Sequence, residues 1–315
     1  MFVQKLIRDN KIYMRVFCGV FISIIGTIIT GCDSSRPYPC GSVIERNGLA
    51  LRLNERLPEH PVILDVRSKA EYDKGHIAGA VRVDPSEWKQ LSLASETGLD
   101  HDTLWKNRIG ALGISGSDPV LIYDDGSMTK ATRIWFIFQH FGVPDTEVLN
   151  GGYPIIKPLI KKGRIAVSKQ QTKPTPVKFE HISMNPARVA LVERQQVRKA
   201  IEDKEAQIFD TRTHEEYTGK QMRNNPRGGH LPNAINLPHN KLLDNKGRLK
   251  SPKTIAAMFE KAGFKRGSPI IVHCDGGGRA SLAALAAECA GYGPVMNYYL
   301  SFGDWAADAS CPIEK

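Results

Sequence analysis

Short, unbroken apolar runs alternate along the chain with longer stretches whose apolar residues recur at helical spacing. Val120-Leu121-Ile122-Tyr123, entered from Pro119, and Ile270-Ile271-Val272-His273, entered from Pro269, lack the in-out alternation of a half-exposed strand. They predict parallel strands covered on both faces. Helices are predicted ahead of them, over Asp100–Leu112 and Pro252–Ala262, and behind them, over Ala131–Phe141 and Ala280–Ala290. Strand and helix in alternation predict an α/β fold of parallel sheets flanked by helices.

The pattern occurs twice. Ile63-Leu64-Asp65-Val66-Arg67 leads to Glu71-Tyr72 and then to Gly75-His76-Ile77-Ala78-Gly79-Ala80-Val81. Ile208-Phe209-Asp210-Thr211-Arg212 leads to Glu216-Tyr217 and then to Gly229-His230-Leu231-Pro232-Asn233-Ala234-Ile235. The copies stand 145 residues apart at Asp65 and Asp210 but 154 apart at His76 and His230, so the second carries a nine-residue insertion around the basic stretch 220–227. Solenoid units run about 20–50 residues, so a repeat of this length is a duplicated domain. The copies are expected over 43–162 and 187–315, joined by a linker over 163–186 that is rich in Lys, Gln and Pro.

Residues 1–31 differ in kind. Lys5, Arg8, Lys11 and Arg15 stand against the single acid Asp9, and fifteen uncharged residues follow from Val16 to Thr30. A bilayer span needs about 20 apolar residues, so the run fits a signal-peptide core better than an anchor. It ends in Ile29-Thr30-Gly31-Cys32, which resembles the bacterial lipoprotein box. That resemblance implies cleavage before Cys32, lipidation of Cys32 and a tether over 32–42. Asp33 then implies retention at the inner membrane, with the protein on its periplasmic face. An uncleaved anchor, or a start at Met14, is the alternative.

Composition narrows the remaining choices. With 315 residues, 41% hydrophobic and 24% charged, the chain is neither disordered, collagen-like nor a disulfide-framed mini-protein. The formal charge of +10 suits nucleic acid, a membrane surface or small anions. Three of those units belong to residues 1–31, and no base-stacking or groove-reading motif accompanies the other seven. Small anions and an anionic membrane surface remain.

The chemistry is expected at Cys274-Asp275-Gly276-Gly277-Gly278-Arg279-Ala280, at the carboxyl end of a predicted strand, where open α/β sheets bind ligands. Three glycines can turn successive N–H groups inward as an anion nest, and the helix that follows aims its positive end at the same point. A thiol there is favoured as thiolate and nucleophile. One reading makes the loop a tight structural turn. Another is a cysteine-dependent phosphatase loop, but that has five residues between Cys and Arg where this chain has four. The smaller nest suits a single sulfur better than a phosphate.

The paired Asp-x-Arg, Glu-Tyr and Gly-His motifs, the Cys274 loop and the tandem layout together resemble the rhodanese family of sulfurtransferases. The resemblance covers roughly residues 45–315 and implies two rhodanese-like domains, of which only the second keeps the cysteine. Asp124 occupies the cysteine's place in the first copy, 150 residues before Cys274. The implied activity passes a sulfane sulfur from an anionic donor to cyanide, a thiol or a carrier protein through a Cys274 persulfide. Thiosulfate is favoured on the Cys-x-x-Gly-x-Arg pattern and 3-mercaptopyruvate comes next. No cofactor, metal or nucleic acid is called for. The resemblance also implies donor binding by Arg212 and Arg227, with Arg279 binding the donor or fixing the loop; for Arg212 a structural ion pair with Asp210 or the Glu-Tyr carboxylate is the alternative. A persulfide-sensing or partner-binding module is the non-enzymatic alternative.

Among the other cysteines, Cys18 leaves with the signal segment, Cys289 reads as core, and Cys40 and Cys311 flank the folded part as candidates for a disulfide. Trp305 reads as packing.

Overall fold

The structure, a computed structural model, describes residues 38, 40–54, 60–143, 145–180 and 188–315. Cys32 and the expected signal segment lie outside the described residues. The first half runs β1 (Val43–Ile44), α1 (Arg46–Asn54), β2 (Val62–Asp65), α2 (Lys69–Lys74), β3 (His76–Ile77), β4 (Val81–Arg82), α3 (Pro85–Leu93), α4 (Asp102–Ala111), β5 (Val120–Tyr123), α5 (Thr129–His140), β6 (Thr146–Leu149) and α6 (Gly152–Lys161), with β7 (Val167–Ser168) after it. The second runs β8 (Val189–Leu191), α7 (Arg194–Glu202), β9 (Gln207–Asp210), α8 (His214–Tyr217), β10 (Ile235–Asn236), a 3-10 turn (His239–Leu242), α9 (Pro252–Ala262), β11 (Ile270–His273), α10 (Gly278–Cys289), β12 (Val295–Asn297) and α11 (Ser301–Ala307).

Each half builds one five-stranded sheet. The strand orders, β1-β6-β5-β2-β4 and β8-β12-β11-β9-β10, are the same order in duplicate. Every pairing within them is parallel. The two apolar runs occupy the central strands β5 and β11 and are buried at every position. Local chemistry marks the helix starts. Asp84 accepts from the Ser86 and Glu87 amides ahead of Pro85, Ser251 caps α9 ahead of Pro252, and Ser68-Glu71 and Thr213-Glu216 form capping boxes.

The repeated motifs are scaffold in both halves. Tyr72 stacks on His76 with ring centroids 3.6 Å apart, and Tyr217 on His230 at 3.7 Å. Each tyrosine hydroxyl donates to the carbonyl of the motif's alanine, Ala80 at 2.7 Å and Ala234 at 2.9 Å. The Glu-Tyr and Gly-His signatures thereby fix the course of the chain between β2 and β4, and between β9 and β10.

The halves meet along α5 and α10. Helix α10 is apolar on nearly all sides and buried almost throughout, as that composition requires. Its alanines 283, 284, 286 and 287 share one continuous apolar cluster with Trp135, Phe136, Ile137 and Phe138 of α5. Small side chains on one helix let the bulky ones of the other close in.

Three expectations change here. The stretch from 163 to 180 does not hang free: β7 pairs antiparallel with β3, the Val177 amide donates to Gly110 O at 3.0 Å, that of Glu180 to Ser115 O at 2.8 Å, and Phe179 is buried. Backbone pairing and one apolar anchor turn this part of the expected linker into a strap on the first domain. The expected tether is likewise docked from Tyr38 on. Tyr38 is buried and its hydroxyl donates to Leu249 O at 2.6 Å, while Asn150 bridges Tyr38 and Leu249. Cys40 pairs with Cys289 across 249 residues, not with Cys311, because α10 ends beside the segment that leads into β1; Cys311 is a buried free thiol. Cys289 is therefore half of a staple between the segment ahead of β1 and the second domain.

Peptide mapping without reduction should recover Cys40 linked to Cys289, with Cys274 and Cys311 alkylatable after unfolding. A Cys40–Cys311 link would overturn this arrangement.

Candidate active site

Cys274 follows β11 directly and is almost fully buried, with one face on a cleft of about 230 Å³ between the two halves. Its sulfur accepts from the Gly276 amide at 3.4 Å and lies 3.7 Å from Ser301 Oγ. Ser301 also accepts from the Cys274 amide at 3.1 Å, and it holds a left-handed backbone, φ 65°, at the start of α11. The Phe302 and Gly303 amides then donate to Cys274 O and Asp275 O, so α11 clamps the loop from behind. Among the described residues, the amides of Gly277, Arg279 and Ala280 find no acceptor, and they lie in the first turn of α10 where a helix offers unpaired donors.

The three glycines have different reasons to be glycine. Gly277 alone among them has a positive φ, 86°, and a Cβ there would meet the Tyr299 ring at 2.7 Å. At Gly278 a Cβ would come within 2.8 Å of Arg133 Nη2, from the other half of the molecule. The expected nest of three inward-turned amides is thus one left-handed turn, one amide on sulfur and a gap left open for an arginine.

Domain one shows the same loop filled from within. Asp124 Oδ1 accepts from the Gly126 amide at 2.9 Å, and Oδ2 accepts from the Ala131 amide and the Ser127 hydroxyl, each at 3.2 Å. Its carboxyl is fully buried, and burial together with the Asp125 charge raises its pKa. A side chain occupies the anion cradle that the second half leaves beside a thiol.

The arginines sort differently from the sequence expectation. Arg212 binds Asp210 at 2.5 Å, donates to Gly229 O at 2.7 Å and lies 3.8 Å over the Phe302 ring, wholly buried. Arg67 repeats each contact in the half without a thiol: Asp65 at 2.5 Å, Gly75 O at 2.9 Å and the Tyr153 ring at 3.7 Å. An arrangement duplicated where no thiol exists is scaffold, so the substrate role expected for Arg212 is corrected. Arg227 is corrected too. Its guanidinium donates to the carbonyls of Trp305, Ala306, Asp308 and Cys311, capping the end of α11. Arg279 lines the cleft but spends both terminal nitrogens on Glu216, at 2.6 and 2.9 Å. Burial opposes the charge on Glu216, yet the Arg279 hydrogen bonds and charge prevail and hold its pKa at about 2. His273, next to the thiol, has its pKa pushed down to about 4 by burial and stays neutral at neutral pH.

Several cleft residues escaped the sequence reading. Arg223, four residues before Arg227 in the basic insertion, bridges Glu216 at 3.3 Å and Asp275 at 3.4 Å. Lys89, Lys130 and Arg133 come from the first half. The nine-residue insertion signalled a basic contribution but not which arginine. Nothing local to α3 or α5 marks their residues, which reach the site only through the packing of the two halves.

A Rhodanese-like domain profile matches residues 49–157 and again 193–308. The chain belongs to the rhodanese-like family. It is 31% identical over 243 residues to the thiosulfate sulfurtransferase of Bos taurus, spanning 76% of this chain and 80% of that one. It is 27% identical over 249 residues to the 3-mercaptopyruvate sulfurtransferase of Escherichia coli (strain K12), spanning 78% and 85%. Among solved structures, the anaerobic ergothioneine biosynthesis enzyme from Chlorobium limicola, in complex with trimethyl histidine, matches with a TM-score of 0.74 over 87% of this chain and 70% of that one. At 22% identity this is a likeness of fold. The two rhodanese-like domains are the two halves described above, and kinship with sulfurtransferases supports sulfurtransferase activity for this protein.

Removing one partner of a buried ion pair costs about 3–5 kcal/mol, so Arg212→Met and Arg67→Met should both lower unfolding stability by that order in urea titrations. The donor KM of folded Arg212→Met should stay near wild type. A raised KM at unchanged stability would restore a substrate role to Arg212.

Proposed function

We propose that the protein moves a sulfane sulfur from an anionic donor, thiosulfate first and 3-mercaptopyruvate second, to a thiophilic acceptor through a persulfide on Cys274. The observation that carries this reading is Cys274 lining an arginine- and lysine-lined cleft, with the Gly276 amide on its sulfur at 3.4 Å. The Cys274 thiolate attacks the outer sulfur of thiosulfate. A new S–S bond forms, the donor's S–S bond breaks, and its electron pair leaves with sulfite. With 3-mercaptopyruvate the C–S bond breaks instead, and its electron pair leaves with pyruvate as the enolate, which takes up a proton. Cyanide, a small thiol or a carrier-protein thiol then attacks the terminal sulfur, and the bond pair returns to Cys274 as thiolate. The Gly276 amide on the sulfur, at the start of a helix, favours the charged intermediate.

A phosphatase reading lacks a free arginine within the thiol loop itself, because Arg279 is engaged at both terminal nitrogens by Glu216. The Cys40–Cys289 disulfide supports an oxidising compartment, in keeping with export and anchoring through Cys32.

Incubation with thiosulfate should add one sulfur atom to Cys274, located by intact-mass and peptide mass spectrometry. Cys274→Ser should gain none and should form no thiocyanate from cyanide. If wild type takes no sulfur from thiosulfate, 3-mercaptopyruvate or a small-molecule persulfide, the enzymatic reading gives way to a partner-binding module.

A further inference from the structure

The cleft holds five cationic side chains, and their charges are not equally met. Arg279 is neutralised by Glu216, Arg223 is shared between Glu216 and Asp275, and Lys130 is bound to Asp125 at 2.5 Å. Lys89 stands exposed at the rim. Arg133 is different: it is 7% exposed, and among the described residues no carboxylate comes within ion-pair distance of it. Its guanidinium is held by neutral groups, with Nη1 donating to the Tyr299 hydroxyl and Nη2 to Gly276 O, each at 2.6 Å. A buried guanidinium without a counter-ion is costly to keep, and an arriving anion would relieve that cost.

The repeat shows that the fold does not need an arginine there. Thr132 Oγ1 bonds Met128 O, and Ser281 Oγ bonds Gly277 O, each to the residue that precedes its helix. That register sets Arg133 opposite Leu282, a buried apolar residue on α10. The second half also makes room for it, since a Cβ at Gly278 would come within 2.8 Å of the guanidinium where it now lies. Gly276 joins the two functional groups directly: its N–H is on the Cys274 sulfur and its carbonyl is on Arg133.

We propose that Arg133, supplied by the half that has no thiol, binds the anionic group of the sulfur donor and sets it against Cys274. The proposal rests on the sulfurtransferase reading for the identity of the donor. Arg133 lines the cleft, and its guanidinium keeps N–H groups beyond those two bonds that a sulfonate or carboxylate can take up. The first domain is thereby half of the binding site and not an inert copy. Cys274 attacks while the charge of the departing sulfite or carboxylate end is met from across the interface.

Binding can be read without turnover. Thiosulfate titrated calorimetrically into Cys274→Ser should bind, and the added Arg133→Met change should weaken that binding about tenfold or more, the size of one lost charged hydrogen-bond partner. Arg133→Lys in the same background should recover part of the loss, and near-ultraviolet circular dichroism should report native packing in each variant. Equal thiosulfate affinity with and without Arg133, or no binding to Cys274→Ser at all, overturns the proposal. A parallel turnover comparison uses an uncharged organic trisulfide as donor and cyanide as acceptor. Arg133→Met should raise the KM for thiosulfate and leave that for the trisulfide near wild type; equal losses with both donors would assign Arg133 to packing alone. Failure of wild type to load sulfur on Cys274 from any donor would instead sink the sulfurtransferase reading, an outcome distinct from a binding result that ignores Arg133.

Discussion

The close approach of α5 to α10 is the constraint on which the rest of the molecule depends. An alanine-rich helix in one half lets the aromatic face of its counterpart come in, and at the amino-terminal end of the contact a glycine replaces the last obstacle. That gap is where Arg133 crosses to Gly276 and Tyr299. The cleft over Cys274 exists because the two helices meet, so its floor is a strand-to-helix loop of one domain and its wall is the other domain. The disulfide from Cys40 to the end of α10 holds the same contact from its far end.

Duplication explains why much of the sequence signal is scaffold. The Asp-x-Arg pair, the capping box with its Glu-Tyr, and the Gly-His stack recur with nearly the same distances in a half that carries Asp124 in place of a thiol. These motifs hold the chain between an inner strand and the edge strand beside it, β2 to β4 and β9 to β10, and they identify the family because the fold needs them. What distinguishes the halves is small: a thiol in an open cradle against a carboxylate that fills its own. Glu216 illustrates how one position can be reassigned. It closes the capping box of α8 as Glu71 does in α2, and in addition it neutralises Arg279 beneath the thiol.

The fold was legible because its determinants are local. Unbroken apolar runs behind Pro119 and Pro269 gave the central strands, and Ser251-Pro252 with Gly263 bounds α9 where the pattern predicts it. The thiol loop was legible for the same reason, as a cysteine between a buried strand and a glycine run. For Arg212 the sequence leaves donor binding and an ion pair with Asp210 open, and the fold takes the ion pair. An arginine's partner is set by what folds against it: four residues separate Arg227, which caps α11, from Arg223, which reaches Asp275. Arg133 and the Cys40–Cys289 pair could not be read at all. Their partners are 143 and 249 residues away, and only the docking of the two halves brings them together.

In the proposed reaction one cleft of about 230 Å³ serves donor and acceptor in turn, with the sulfur carried on Cys274 between the two visits. Steady-state rates of thiocyanate formation, measured with thiosulfate varied at several fixed cyanide concentrations, test that claim most directly. Parallel lines in double-reciprocal form are expected, since the first product leaves before the second substrate enters. Lines that intersect would mean that donor and acceptor occupy the site together, and would contradict a Cys274 persulfide as the carrier.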